Sequence, residues 1–150
     1  MFRGITSLSL DAKGRVAIPA RYREELQASC DGQLVVTVHP DHCLMIYPLP
    51  EWEPIEQALM SKPNMADPDV RWMQRLLCGH AEKVEFDAQG RILLPSKQRE
   101  FAYLDRRAVL VGQGKKFELW DEETWNQQFE DLGQGSSGGK PGGGLETLTL

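Results

Sequence analysis

Cysteine is scarce in this 150-residue chain: Cys30, Cys43 and Cys78 are the whole set, and no two form a C-x-x-C pair. An odd, scattered set argues against a disulfide framework and agrees with a reducing compartment. No stretch approaches the roughly 20 apolar residues that a membrane-spanning helix needs. The first ten residues, MFRGITSLSL, alternate and lack a long apolar core, so no signal peptide is expected and the chain is placed in the cytoplasm. Net positive charge is missing too. The formal charge is −5, which argues against a general binder of polyanions, although local fields decide what binds at one surface.

Catalytic signatures are equally absent. H-E-x-x-H, G-x-S-x-G and G-x-x-x-x-G-K-[ST] do not occur, and no carboxylate pair stands apart from ordinary solvated helix charges. The stretch HPDHC (His39 to Cys43) gathers metal-ligand types. Three ligands so close in sequence rarely reach tetrahedral geometry, so it reads as a turn between strands. CGH, from Cys78, reads as a helix end. No enzyme, metal site, cofactor or small-molecule substrate is expected.

What the chain does have is a repeat. DAKGRVAIP (Asp11 to Pro19) returns as DAQGRILLP (Asp87 to Pro95), 76 positions later. ARYREEL and LVVTV follow the first copy, SKQREFA and AVLVG the second. Tyr47 then matches Trp120, and Trp52 matches Trp125, at an offset of 73. The three-residue difference is assigned to the connection near SCDGQ, where surface loops accommodate length changes. Each unit spans about 60 residues, which is small for an independent core, so two copies are expected to complete each other.

Four segments follow. They are a first repeat (1–62), a helical connector (63–80), a second repeat (81–132) and a Gly/Ser-rich tail (133–150) expected to be flexible. The closing LETLTL is mildly apolar, with docking on a neighbouring surface the less favoured of its readings. In each repeat a short alternating strand, a turn and a second short strand predict a hairpin. Pro19 and Pro95 fit the first helical position, where a missing N–H does no harm. A short helix, a second strand pair and a closing amphipathic helix complete the unit. In the connector, Asp67 or Asp69 starts a helix that turns Val70, Met73, Leu76 and Leu77 to one face, and Gly79 stops it. Trp52, Trp72, Trp120 and Trp125 read as core or interface packing.

Asp11-Ala12-Lys13-Gly14 has the letters of a type I turn closed by a left-handed glycine, and Asp87-Ala88-Gln89-Gly90 obeys the same rule. Asp11, Gly14, Asp87 and Gly90 are therefore explained as structure. The cations are not. Turn geometry asks for no charge at Lys13 or Arg15, and for an isolated hairpin solvated charges or an Arg–Asp pair would suffice. Arg15 and Arg91 nevertheless persist in both copies. Arginine at a loop tip is the usual bidentate partner of guanine, and lysine a phosphate contact. Arg3, placed on the strand expected to pair with that of Arg15, would extend the patch. Residues 1–29 carry +2 and residues 112–132 carry −4. With Lys13 replaced by neutral Gln89, the first copy is expected to touch DNA more than the second, where Arg91 and Lys97 remain.

The duplicated D-x-x-G-R followed by an apolar strand and proline, with MFRG, LMIYPLPEWE, RLLCGHA and GKKFELWDEETW, resembles the MraZ family of bacterial transcriptional regulators. The likeness covers residues 1–132. The resemblance implies an α+β fold of two tandem AbrB-like swapped-hairpin β-barrel units with connecting and flanking helices. It implies ring-shaped homo-oligomers in the cytoplasm, associated with the nucleoid. It also implies binding of double-stranded DNA at short direct repeats, with repression of the division and cell-wall gene cluster that includes the regulator's own gene. On this chain the family's D-x-x-x-R motif falls on Asp11 and Arg15, and again on Asp87 and Arg91. The competing expectation is a structural assembly protein, or an antitoxin-like AbrB-type module without promoter-specific regulation.

Overall fold

A computed structural model describes residues 1–133, 148 and 149. The elements run β1 (Ile5–Ser9), β2 (Arg15–Ala17), α1 (Ala20–Cys30), β3 (Gln33–His39), β4 (Cys43–Pro48), α2 (Leu49–Met60) and α3 (Pro68–Met73). After α3 come a π-helical turn (Gln74–Cys78), β5 (Glu82–Glu85), β6 (Arg91–Leu93), α4 (Ser96–Phe101), β7 (Arg107–Gly112), β8 (Phe117–Asp121) and α5 (Glu122–Gly133). The fold is α+β. Of the Gly/Ser-rich stretch expected to be a flexible coil, Gly133 instead ends α5, and the rest, with most of LETLTL, lies outside the described residues. Of LETLTL only Leu148 and Thr149 are described, and both are exposed.

The repeats are tied together by exchanged strands. The six-stranded antiparallel sheet has the order β1-β7-β8-β4-β3-β5, and β2 pairs with β6 in a separate two-stranded ribbon. Thus β1 of the first repeat lies on β7 of the second, and β5 of the second on β3 of the first. The hairpin expected between β1 and β2 stops at its own loop. Asp11 N–H donates to the Arg15 carbonyl at 3.0 Å, but beyond that point Leu10 N–H goes to Arg106 and Ile18 N–H to Gly90. The reason is local. Each of β2 and β6 is three residues long and buries one side chain, Val16 or Ile92. Neither offers enough apolar surface to hold its own hairpin against solvent, whereas paired across the repeats the two side chains meet in one core.

Alternation sorts the sheet's two faces. Leu34, Val36, Val38, Leu44, Ile46, Leu110, Phe117 and Leu119 face a central core shared with Val16, Ile92, Tyr22, Leu26 and Leu76. The opposite face carries two satellite clusters. One joins Val35, Met45 and Tyr47 to Trp52 of α2, and the other joins Cys43, Val109, Val111 and Trp120 to Trp125 of α5. Both faces of β3, β4, β7 and β8 are therefore covered, which accounts for their near-continuous apolar runs. The matched aromatic pairs keep similar geometry, with centroids 5.4 Å apart for Tyr47–Trp52 and 5.7 Å for Trp120–Trp125. Trp72 departs from the packing expectation within the chain, remaining 56% exposed.

Three local details differ from the sequence reading. Pro19 and Pro95 cap their helices from one position earlier than expected, Pro19 accepting the first helical bonds from Tyr22 and Arg23. The three-residue offset falls on helix length as well as loop length, since α1 has 11 residues and α4 has 6. In the connector, Asp67 caps α3 as expected, accepting from the N–H groups of Asp69 and Val70. The π-helical turn beyond it buries Gln74, whose amide donates to the carbonyls of Leu59 and Lys62 and accepts from Asn64. The connector also reaches both repeats: Thr37 of β3 donates to the Leu77 carbonyl, and Gln98 of α4 donates to those of Val36 and His80.

Candidate nucleic-acid interface

Each repeated loop is built by its aspartate. Asp11 Oδ1 accepts from the backbone N–H of Lys13 at 3.0 Å and of Arg15 at 2.9 Å, while Oδ2 accepts from Arg15 Nε at 2.6 Å. Asp87 repeats the pattern with Gln89 N–H, Arg91 N–H and Arg91 Nε, all at 2.9 Å. Gly14 and Gly90 take φ of +85° and +76°, the left-handed region that closes the loop without a Cβ clash. These hydrogen bonds, led by the backbone N–H of Arg15, hold the Asp11 carboxyl down from 3.8 to about 2. The Arg91 backbone N–H leads the same lowering at Asp87. Hydrogen bonds to the ionised form favour it, so both carboxylates remain charged at neutral pH.

The antiparallel ribbon then brings the loops together. Arg15 stands opposite Leu93, Val16 opposite Ile92 and Ala17 opposite Arg91. Val16 and Ile92 point inward and are fully buried. Alternation places Arg15, Ala17, Arg91 and Leu93 on the outer face. There Arg91 Nη1 lies 3.6 Å from Asp11 Oδ2, an ion pair across the repeats. In both arginines the Nε edge is taken by the loop aspartate. The terminal nitrogens can still donate to an acceptor pair beyond the ribbon. Lys13, at the first tip, is exposed.

Arg3 stands apart. The strand pairing predicted for it does not form, because β1 lies on β7 instead. Arg3 precedes β1 at the end away from the loop, roughly 25 Å of extended chain from Asp11 at about 3.3 Å per residue. Its carbonyl accepts from the Tyr22 hydroxyl. Lys97 is exposed on α4, a helix that packs against the first loop through Arg99.

Two functional candidates escape the sequence reading. A Cβ on Gly14 would lie 2.5 Å from the Arg99 guanidinium carbon, and one on Gly90 would meet Arg23. Arg23 and Arg99 are 76 positions apart, like the loops. Each therefore packs on the loop of the other repeat. The available signal is the Arg-Glu dipeptide common to ARYREEL and SKQREFA. Without the strand exchange, nothing indicates that these side chains reach across.

Among the described residues, no group of three or more His, Cys, Asp or Glu side chains is placed to hold a metal ion. His39 and Cys43 are strand partners flanking a tight turn, and the His42 ring stacks on Phe101 and Tyr103. No described helix is long and apolar enough to cross a membrane.

Comparison with known proteins agrees with the duplicated architecture. The family described as "MraZ protein, putative antitoxin-like" matches residues 1–76 and again 77–140. A protein of Thioalkalivibrio sulfidiphilus named transcriptional regulator MraZ is 56% identical, with all of both chains covered. Proteins of the same name from Nitrosomonas europaea and Pseudomonas aeruginosa are 55% and 54% identical. Those matches cover 87% of this chain, and 87% and 86% of the relatives. The relatives are named as regulators of transcription, a non-enzymatic class. With two consecutive matches and a relative 56% identical over the full length of both chains, the chain belongs to the MraZ family.

Proposed function

We propose that this chain is a sequence-specific DNA-binding regulator of transcription, with the β2–β6 ribbon and its two loops as the reading head. The observation that carries the reading is the joint placement of Arg15 and Arg91 on the ribbon's outer face, each fixed at Nε by its own aspartate. A two-stranded ribbon fits the major groove, and terminal guanidinium nitrogens match the O6 and N7 acceptors of guanine. Prior fixation of the side chain reduces the entropy lost on binding. Lys13 supplies a phosphate contact beside the first loop. Arg3 lies outside this head, and Gln89 leaves the second loop with the weaker grip.

One ribbon makes few contacts. A ring-shaped homo-oligomer presents several, and linked weak sites gain about 10²–10⁴ in avidity when geometry allows simultaneous engagement. The operator is then a set of short direct repeats spaced near one helical turn, about 10–10.5 bp. In this reading the units are AbrB-like swapped-hairpin barrels, with repeats at 1–62 and 81–132 and a connector at 63–80. The exchange of β1 and β5 between repeats supports that architecture. The regulator acts on the nucleoid in the cytoplasm and represses the division and cell-wall gene cluster containing its own gene.

The test is a gel shift on DNA upstream of the chain's own gene, with Arg15→Ala beside the unaltered protein. Binding by the unaltered protein and its loss in Arg15→Ala, with assembly retained, is the expected result. Equal occupancy by both proteins refutes the reading. Oligomers without sequence preference would point to the assembly role instead.

A further inference from the structure

The two loops have different neighbours, and the difference is written in the sheet register. Ser9, two residues before Asp11, pairs with Arg107, and Leu10 N–H donates to the Arg106 carbonyl at 2.7 Å. The first loop therefore leaves the sheet directly beside two arginines. At the second loop, Glu85 holds the place of Ser9 and pairs with Gln33. The counterparts of Arg106 and Arg107 are thus Gly32 and Gln33. Gly32 has no side chain and sits at φ +69°, in the tight turn that ends the longer helix α1.

The adjoining hollows carry the same contrast. Beside the first loop, a hollow of about 890 Å³ is lined by Arg99, Arg106 and Arg107 as well as Asp11 and Asp105. Beside the second, one of about 760 Å³ is lined by Arg23 with Glu24 and Asp87, and by Ala20, Ala28 and Phe86. The charged lining residues sum to +1 in the first and −1 in the second. Within the first set, Arg99 donates to the Leu94 carbonyl and Arg107 lies 3.6 Å from Glu122. Arg106 is exposed, and among the described residues its side chain has no hydrogen-bond or ion-pair partner.

We propose that Arg106, contributed by the second repeat, is a DNA-backbone anchor for the first repeat's loop, gripping a phosphate that flanks the bases read by Arg15. The proposal rests on the reading of that loop as a DNA contact. It names a residue that, beyond the change from Lys13 to Gln89, makes the loops unequal. An arginine whose backbone is tied beside the loop by a main-chain hydrogen bond, and whose guanidinium is uncommitted, is suited to a phosphate, which fixes register without reading sequence. The short α4 makes this possible, since the second repeat reaches β7 through a bend at Asp105–Arg106 where the first uses the Asp31–Gly32 turn.

The experiment measures affinity by fluorescence anisotropy across a salt series. It uses a duplex of the upstream DNA and a scrambled duplex of equal length, with the full chain. Arg106→Ala is expected to weaken binding to both duplexes by a similar factor and to reduce the log Kd–log salt slope by about 0.9 per lost phosphate contact. Arg106→Lys should restore most of the slope, since an ammonium also binds phosphate. Gln33→Ala, at the second loop, should change neither quantity. Light scattering should show the assembly unchanged in Arg106→Ala. An unchanged salt slope, or a changed assembly mass, in Arg106→Ala overturns the anchor. If that happens while Arg15→Ala still abolishes discrimination between the duplexes, the regulator reading stands without it. If the unaltered protein fails to prefer the upstream duplex, the regulator reading itself fails.

Discussion

The carboxylate of Asp11 is shared between repeats: its Oδ2 holds Arg15 Nε at 2.6 Å and lies 3.6 Å from Arg91 Nη1. One negative charge thus aligns two arginines that the sequence separates by 76 positions. It also opposes the approach of phosphate. Asp11→Asn should therefore separate the two effects. Affinity for scrambled DNA is expected to rise, because a repelling charge is gone. Discrimination in favour of the upstream duplex is expected to fall, because Arg15 loses its charged anchor and Arg91, still held by Asp87, loses the ion pair that ties it to the first loop. Paired anisotropy titrations check this, and a fall in affinity for both duplexes alike would contradict it.

Acid should loosen the loops in a defined window. The folded Asp11 carboxyl titrates near 2, below its ordinary 3.8, and Asp87 is lowered in the same direction. A depressed carboxyl stabilises the fold fully above its unfolded value, and that contribution disappears as pH falls through the folded value. Stability should drop between about pH 4 and pH 2, with Asp11→Asn flattening part of the drop. Carbon-detected NMR titration of the aspartate carboxyls, beside urea unfolding at each pH, provides the measurement. A midpoint for Asp11 at or above 3.8 would exclude this loop geometry.

Glycine substitutions should divide by backbone conformation. Gly14→Ala forces a Cβ into a left-handed position, costing about 1–2 kcal/mol, and displaces the Arg99 guanidinium packed above it. Gly79 is right-handed helical, and a Cβ there meets nothing within 4 Å. Gly79→Ala should be stabilising by about 0.4–1 kcal/mol through the unfolded chain. Gly112→Ala drives a Cβ into the Arg3 backbone, which cannot rotate away, and should cost more than Gly14→Ala. Chemical denaturation of the three variants gives the order.

Gln98 makes its own prediction. It is 1% exposed, and its Nε2 donates to the carbonyl of Val36 at 2.9 Å and of His80 at 2.5 Å. Gln98→Leu preserves bulk but strips the donor from two carbonyls on separate elements. A loss of about 2 kcal/mol or more is expected, since each orphaned buried group costs about 1–3 kcal/mol. Denaturation curves for Gln98→Leu and Gln98→Glu would show whether the donor is what matters.

The repeat, the loops and the apolar strands are legible in the sequence because they depend on short-range chemistry. Asp-x-x-Gly favours a tight loop closed by a left-handed glycine, and Val16 and Ile92 announce one buried face. Partner choice is not legible. The same letters suit a local hairpin and an exchanged strand, and the choice lies in a core assembled from both repeats. This is why Arg3 is expected beside Arg15 and lies elsewhere, and why Arg23 and Arg99 draw no notice. The π-helical turn is hidden for a related reason. Val70, Met73, Leu76 and Leu77 fit an ordinary helical stripe, and only the buried amide of Gln74 explains the wider turn.

The exchange of β1 and β5 gives this duplicated gene product no seam. A protease cut in the connector would leave fragments still laced through each other, and neither could leave without exposing the other's interior. Gene duplication normally frees one copy to drift. Here each copy is part of its sibling's scaffold, so the exchanged strands and the core they share constrain both copies together.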